Sequence, residues 1–389
     1  MEKKNLELYV HIPFCVKKCA YCDFLSFPCD ERTQQDYVKA LIREINYYGP
    51  LMKEYEVSTV FVGGGTPSWL LEESMQDVFH ALFANFDIRP DAEITVECNP
   101  GTLTSRKLLV YKNCKINRLS IGLQSANDDE LKILGRIHTY DQFLKTYEMA
   151  RVAGFSNINV DLMSGLPYQT TEKFLHSLKK VISLKPEHIS VYSLMIEKGT
   201  PFYEEYKFDA VKQEAGMPTE VLPTEDENYR IYKETQYRLK QAGYEQYEIS
   251  NYAHRGKACR HNIGYWTREN YLGMGLGASS LIENVRYENR KDLYEYIEAS
   301  WSGTNLHESA DPVSRKAQME EYMFLGLRMN QGILRSGFEK CFGIEIEAIY
   351  REVLEELKEE GLLYAQEGRI ALTEKGMDLS NYAMSKFLF

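Results

Sequence analysis

No segment of this 389-residue chain approaches the uninterrupted apolar length that a membrane-spanning helix needs, and its opening, MEKKNLELYVHIPFC, lacks the apolar core of a secretory signal. A cytoplasmic protein is expected. Basic charge is also short. The chain carries 46 Lys and Arg against 57 Asp and Glu, a net charge of −11, which argues against a protein that gains affinity from cations clustered on a phosphate backbone. Nucleic acid is therefore not an expected partner. Proline is scarce at 12 residues, and there are no repeats or low-complexity tracts, whereas apolar residues make up 44% and aromatics 12%. That balance belongs to a folded chain long enough for one large core and a smaller satellite. A disulfide framework is excluded in turn: of eight cysteines, Cys15, Cys19 and Cys22 fall within eight residues, and thiols bunched in a reducing compartment point to metal.

Between Leu6 and Ile196, short β-branched runs alternate with helix-length amphipathic stretches: LYVHI, TVFVGGG, EITVECNP, RLSIGLQS, NINVDLMSGLP and HISVYSLMIE. Six strands in such alternation predict an α/β fold with a parallel sheet, open or closed into a barrel. Thr33 ahead of YVKALIREI and Thr171 ahead of KFLHSLKKVI are the expected helix caps. Polar or glycine residues recur where strands end, at Gly63 to Gly65, Glu97, Gln124 and Asp161, and in α/β barrels those ends build the active site. Residues 197–223, with Gly199, Pro201, Gly216, Pro218 and Pro223, read as a polar connection or lid. Thr224 and Glu227 then give a capping-box signature for a helix ending at Gly243, and a strand-like YEQYEIS follows. From about Asp311, three helices precede a hairpin, LLYAQEGRIALT, whose turn contains Glu367 and Gly368, the order of a winged-helix-type module. Its third helix is rich in glutamate, including Glu352, Glu355, Glu356 and Glu359, which repels phosphate, so the module is read as structural.

Cys15, Cys19 and Cys22, spaced CxxxCxYC, follow the first strand on a loop opened by Pro13. Structural zinc takes four ligands and a cluster normally takes four cysteines, so a triad leaves one metal position open. On these residues alone, a zinc site completed by His11 or Cys29 and a set of buried core thiols compete with a cluster. CxxxCxYC after YVHIPF resembles the signature of the radical S-adenosylmethionine (SAM) superfamily. The resemblance implies a partial (β/α)6 barrel and a four-iron four-sulfur cluster on the three cysteines, with SAM chelating the fourth iron through its amino and carboxylate groups. It further implies SAM contacts from Gly64, Gly65 and Thr66 in GGGTP, Glu97 in ECNPG, Gln124 in GLQS, Arg136 in LGR and Asp161 in VDLMSGLP, with Tyr9 and Tyr21 against the cluster or adenine. Such residues suit these roles. Glycine permits close backbone approach, carboxylates accept from ribose hydroxyls or ammonium, and arginine grips a carboxylate with a two-pronged fork.

Over its whole length the chain resembles the group of oxygen-independent coproporphyrinogen III oxidases and their relatives, the HemW haem chaperones. Two features depart from the oxidases. Phe24 holds the position of their fourth cysteine, and only 14 residues precede Cys15 where they carry a substantial extension. The chaperone motif HNxxYW is present as His261, Asn262, Tyr265 and Trp266, which are the expected haem contacts. Histidine is a common axial ligand, and Tyr and Trp offer flat apolar faces to a porphyrin, with Cys259 as an alternative thiolate. The glycines of YLGMGLGASS lack the setting of a dinucleotide fingerprint and are expected to let backbone approach the central cavity. The resemblance divides the chain into a partial barrel (1–223), an extension carrying HNxxYW (224–306) and a mainly helical winged-helix-like domain (307–389). It implies a chaperone that binds haem and passes it to an acceptor protein, with coproporphyrinogen oxidation as the alternative activity. Peripheral membrane association and a homodimer are arrangements such a protein admits.

Overall fold

The computed structural model describes residues 3–302, 306–366 and 368–388. Six strands, β1 (Lys4–Ile12), β2 (Tyr55–Gly64), β3 (Ile88–Cys98), β4 (Arg118–Gln124), β5 (Ile158–Ser164) and β6 (His188–Ser193), pair in parallel in sequence order. The helices between them are α1 (Glu31–Tyr48), α2 (Glu72–Asn85), α3 (Ser105–Asn113), α4 (Asp128–Ile133), α5 (Tyr140–Val152) and α6 (Thr171–Leu184). Two expected caps move. Asp30, not Thr33, caps α1 by accepting from the Thr33 amide at 2.8 Å, and Thr170, not Thr171, caps α6. In each case the cap is the residue whose backbone is still extended when the helix begins.

Side chains of a strand point alternately to its two faces, and here the faces differ in kind. Leu119, Ile121 and Leu123 of β4, with Ile158, Val160 and Leu162 of β5, are fully buried in the main hydrophobic core. Their alternates Ser120, Gly122, Gln124, Asn159, Asp161 and Met163 line a cavity of about 550 Å³. A closed barrel fills its interior with branched apolar side chains, whereas these, polar or small apart from Met163, leave room.

Residues after β6 do not continue as a loop. Thr200 caps a further helix, α7 (Pro201–Glu214), with Pro201 in its first turn. Gly199 and Pro201, read from the sequence as loop punctuation, are instead the approach to a helix and its first residue. Next come α8 (Glu225–Gln241), capped by Thr224, β7 (Glu245–Glu248) and β8 (Asn251–Ala253). Then follow α9 (Arg260–Thr267), β9 (Tyr271–Met274), β10 (Ser279–Ile282), β11 (Val285–Asn289), α10 (Leu293–Ser302) and β12 (His307–Pro312). They extend the sheet on both sides to the order β12-β11-β10-β9-β1-β2-β3-β4-β5-β6-β8-β7. β8 lies beside β6 and β9 beside β1, so α9, between them in the chain, runs from one flank of the barrel to the other, and on the way it meets Glu7 of β1, Thr59 of β2 and Glu93 of β3. The glycines of YLGMGLGASS serve this extension and not the cavity: a Cβ on Gly275 would meet the Tyr37 hydroxyl at 2.5 Å and the His11 carbonyl at 2.7 Å.

The remaining chain has its own core, in which Met323, Leu327, Phe338, Leu354, Leu357 and Ile370 are buried together. It comprises α11 (Arg315–Gly326), β13 (Ile333–Leu334), α12 (Arg335–Phe342), α13 (Glu347–Glu359), β14 (Leu363–Gln366), β15 (Arg369–Leu372), α14 (Glu374–Asp378) and α15 (Ser380–Ser385). Three helices followed by the β14–β15 hairpin make the winged-helix-like order; Gly368 takes a positive φ in the turn, and Glu367 lies outside the described residues. This part is tied back by Glu321 on α11, which pairs with Arg268 and Arg286, and by residues 329 and 330, which bond along β7. Among the described residues no helix is long and apolar enough to cross a membrane.

Candidate functional site

The cysteine loop leaves β1 at Pro13 and returns at Phe27, where the Cys15 amide donates to the Phe27 carbonyl and the Phe27 amide to the Pro13 carbonyl. Phe14 is fully buried at its root. Cys15, Cys19 and Cys22 are partly exposed and all three line the cavity. Each sulfur faces a donor or hydroxyl: Thr66 Oγ1 at 3.5 Å from Cys15, Arg136 Nη1 at 3.7 Å from Cys19, and Ser26 Oγ at 3.8 Å from Cys22. Burial pushes the Cys15 and Cys22 thiols up, so a metal is what would hold them as thiolates. Polar partners around metal-bound sulfur are the surroundings such thiolates require, so the donor set fits a cluster. The two candidate fourth ligands are engaged elsewhere. His11 has Nδ1 at 2.9 Å from the Tyr9 hydroxyl and Nε2 at 3.0 Å from the Leu25 carbonyl, and Cys29 sits beside Gln34 with its thiol pushed up to about 11 by burial and by Asp30.

Asn99 joins the loop to the strand ends. Its Nδ2 donates to Thr66 Oγ1 at 2.8 Å, and its Oδ1 accepts from Arg136 Nη2 at 2.8 Å, so Cys15, Thr66, Asn99, Arg136 and Cys19 form one hydrogen-bonded chain. Arg136 Nη2 also donates to the Gly122 carbonyl at 2.6 Å, leaving only Nε buried without a partner. Arg136 thus positions the loop while lining the cavity.

Gly64 and Gly65 line the cavity, and their lack of side chains also serves the packing of the chain itself. A Cβ on Gly65 would lie 2.8 Å from the Phe14 carbonyl oxygen, and one on Gly64, whose φ is +113°, would strike the His11 ring. What approaches them closely is the root of the cysteine loop, to which the Gly65 and Thr66 amides donate at 2.8 and 2.7 Å. The Gly64 amide donates to Glu97 at 3.0 Å. Burial, reinforced by the charge of Asp161, pushes the Glu97 carboxyl up to about 7. Asp161 is likewise pushed up by burial, and accepts from Asn159 at 2.7 Å and Ser120 at 3.3 Å. Gln124 closes β4 in the left-handed region, φ +70°, a conformation that a non-glycine residue holds only where its surroundings impose it. Tyr9 stacks on Phe61 with ring centres 6.4 Å apart, and Tyr21 packs on Phe202 of α7 at 6.4 Å; both tyrosines line the cavity.

At the other end of the cavity lies α9. Glu93 Oε1 accepts from the Arg260 amide at 3.0 Å, the His261 amide at 3.4 Å and the Cys259 thiol at 3.5 Å, placing negative charge at the helix N-terminus. His261 is 1% exposed, with Nδ1 2.7 Å from Thr59 Oγ1, Nε2 3.0 Å from the Tyr265 hydroxyl, and its ring stacked on Phe61 at 5.2 Å. Burial and the Arg118 charge lower it to about 3, so the imidazole is neutral. Asn262 and Tyr265 share its cavity wall. Trp266 does not. At 3.6 residues per turn it lies about 140° around the helix from His261, and its ring is covered by the Arg328 guanidinium at 4.4 Å. Cys259 is fully buried, and burial pushes its thiol up to about 12, so it offers no thiolate. Asn99, Phe61 and Arg118 are site residues that sequence reasoning missed. Only the two-residue period running back from the strand ends could have pointed to Arg118.

Residues 9–181 match the radical SAM superfamily, and residues 313–379 match the HemN C-terminal domain. The chain is 36% identical to the heme chaperone HemW of Lactococcus lactis, covering 100% of this chain and 98% of that one, and 34% identical to HemW of Bacillus subtilis, covering 98% of both. HemW of Escherichia coli is 40% identical over 70% of this chain and 69% of its own. Among solved structures, the coproporphyrinogen III oxidase HemN of Escherichia coli, a radical SAM enzyme, superposes with a TM-score of 0.86 at 26% identity, covering 100% of this chain and 91% of that one. A cysteine triad held by its neighbours at the mouth of a polar half-barrel, together with relatives matched end to end, places the chain in the HemW family of radical SAM proteins.

Proposed function

We propose that this protein is a cytoplasmic haem chaperone, which binds haem in the cavity between the cysteine loop and α9 and delivers it to an acceptor protein. The observation that carries the reading is the shared cavity: the cysteine triad and His261 stand at two ends of one space, lined also by Glu97, Gln124 and Asp161. Cys15, Cys19 and Cys22 would hold a four-iron four-sulfur cluster with SAM on its open iron, a group that supplies one-electron cleavage chemistry when reduced. Thr66, Asn99 and Arg136 orient the loop. Glu97 and Asp161 would accept from ribose hydroxyls or ammonium, Gly64, Gly65 and Gln124 would shape the SAM wall, and Tyr9 and Tyr21 would pack on cluster or adenine.

For haem, His261 would present Nε2 once the Tyr265 hydroxyl swings aside, with Nδ1 kept on Thr59, while Asn262 and Tyr265 face the porphyrin. The partial barrel (1–223), the extension (224–306) and the winged-helix-like part (307–389), whose first strand β12 joins the sheet of the extension, would act as one body, with Trp266 serving the contact between the last two. The test is anaerobic reconstitution with iron and sulfide analysis, followed by titration of the haem Soret band. Four irons per chain and weakened haem binding in His261→Ala are expected; unchanged affinity removes His261 from the site, and absence of iron removes the cluster. The likeness to the oxidase over the full chain favours a second reading, oxidative decarboxylation of coproporphyrinogen. Phe24, 63% exposed, stands where those enzymes carry a fourth cysteine, and protoporphyrinogen formation under anaerobic assay would decide for the oxidase.

A further inference from the structure

Arg118 opens β4 and is among the largest fully buried side chains, at 2% exposure. It lies on the cavity face with Ser120, Gly122 and Gln124. Arg136 is tied to Asn99 and Gly122, Arg151 to Glu187 and Tyr147, and Arg268 to Glu321, while Arg328, whose Nε is also without a partner, lies over the Trp266 ring and outside the cavity wall. Among the described residues the Arg118 side chain makes no hydrogen bond and no ion pair, and its Nε is buried with no partner. Glu93 and Asp161 attract it through space, but among the described residues neither lies within ion-pair distance of it. Glu93 is committed to the amides of α9 and Asp161 to Asn159 and Ser120, while Cys259 is held as a thiol. A buried guanidinium with unmet donors is costly, and its planar fork matches a carboxylate.

We infer that Arg118 is the carboxylate-binding residue of this cavity and that it holds a propionate of the porphyrin. The inference rests on the cavity being the haem site proposed above. Depth favours the porphyrin as the source. From Gln124 back to Arg118 is six residues of extended strand, about 20 Å at roughly 3.3 Å per residue. A SAM whose carboxylate lies on the cluster at the strand ends cannot place that carboxylate at Arg118. A flat ligand with carboxylates at its rim can, because Phe61, Met163, Tyr192 and Tyr265 line the cavity with apolar and aromatic surface and His261 stands beside them.

The experiment compares wild type with Arg118→Met in the anaerobically reconstituted full chain. It measures affinity for haemin, for haemin dimethyl ester, whose propionates are masked, and for SAM. The expected result is a loss of about tenfold or more in haemin affinity in the variant, as for a lost charged hydrogen-bonding pair, with ester affinity unchanged. Loss for SAM alone would overturn the propionate and move the carboxylate to SAM; equal loss for haemin and ester, or no loss for any ligand, would overturn the inference. Wild type that binds no haemin defeats the functional reading, and the SAM arm then decides whether Arg118 holds any carboxylate. Arg118→Lys, which keeps the charge and loses the fork, gives the same discrimination if the methionine variant does not fold.

Discussion

Asp209 on α7 gives a quantitative handle on the wall of the site. Its carboxylate accepts from the amides of Glu220, Val221 and Leu222 at 2.8, 2.8 and 2.7 Å, folding residues 215–223 back onto the helix. Leu222 then packs with Phe202 and Tyr206 in a small core against which Tyr21 of the cysteine loop rests. Hydrogen bonds to a charged group contribute about 1.5–3 kcal/mol each, partly regained by water when surface amides are released, so Asp209→Ala should cost about 3 kcal/mol locally. At a factor of ten per 1.4 kcal/mol, opening of this segment rises by roughly a hundredfold or more. Hydrogen exchange at the amides of 220 to 222 reads this directly, and variant amides that exchange no faster than wild type would refute the reasoning. Burial pushes the Asp209 carboxyl up, but the three amides outweigh it and hold it below its ordinary value. The stabilisation is therefore full above the unfolded value, about 4, and is lost as pH falls through the folded one. Wild-type protection at 220 to 222, corrected for intrinsic rate, should fall in that acid window and the variant's should not.

Cys19→Ser should abolish cluster iron, whereas Phe24→Ala, on an exposed side chain outside the triad, should leave iron content unchanged; iron and sulfide analysis after reconstitution checks both. Glu7 is buried beneath α9 and its carboxyl is pushed up to about 9 by burial, with Glu269 and Glu93 adding to it. Its stability contribution is present below about 4.5 and is lost as pH rises through 9, so wild type should lose thermal stability across that range and Glu7→Gln should lose less; parallel profiles would refute this. Gly264→Ala would gain up to about 1 kcal/mol in an open helix, but here the new Cβ would collide with the Glu7 carboxyl. A net loss of about 1–3 kcal/mol is expected, read as a lowered Tm.

The six parallel strands, the cysteine loop and the C-terminal hairpin were legible because each is written locally: a run of β-branched residues, a CxxxCxYC spacing, a turn glycine. Of the extension of the sheet only β7, within the strand-like YEQYEIS, was. β8 to β12 are three to six residues long, too short for a period to announce them, and although several pair with the next strand in the chain, their attachment to the sheet depends on the distant pairings of β9 with β1 and β8 with β6. α7 was missed because its buried face is only Phe202, Tyr206 and Asp209, too thin for a periodic signal. Of the site, residue types at strand ends were readable, but their working partners were not. That Arg136 bonds to Asn99, or that His261 is held by Thr59, depends on strands brought together by pairing. Trp266 was grouped with His261 by a motif, although helix geometry alone separates them.

The outermost strands of the twelve-stranded sheet bear on how two copies of the protein can meet. On one flank β7 is only four residues long and is overlaid by residues 329 and 330; on the other, β12 presents Glu308, Asp311 and Pro312 to solvent. An uncovered strand invites a neighbour to zip onto it, and proline and like charge discourage such zipping. Self-association by extension of this sheet is disfavoured on both flanks, which turns any pairing of two such molecules toward their other surfaces.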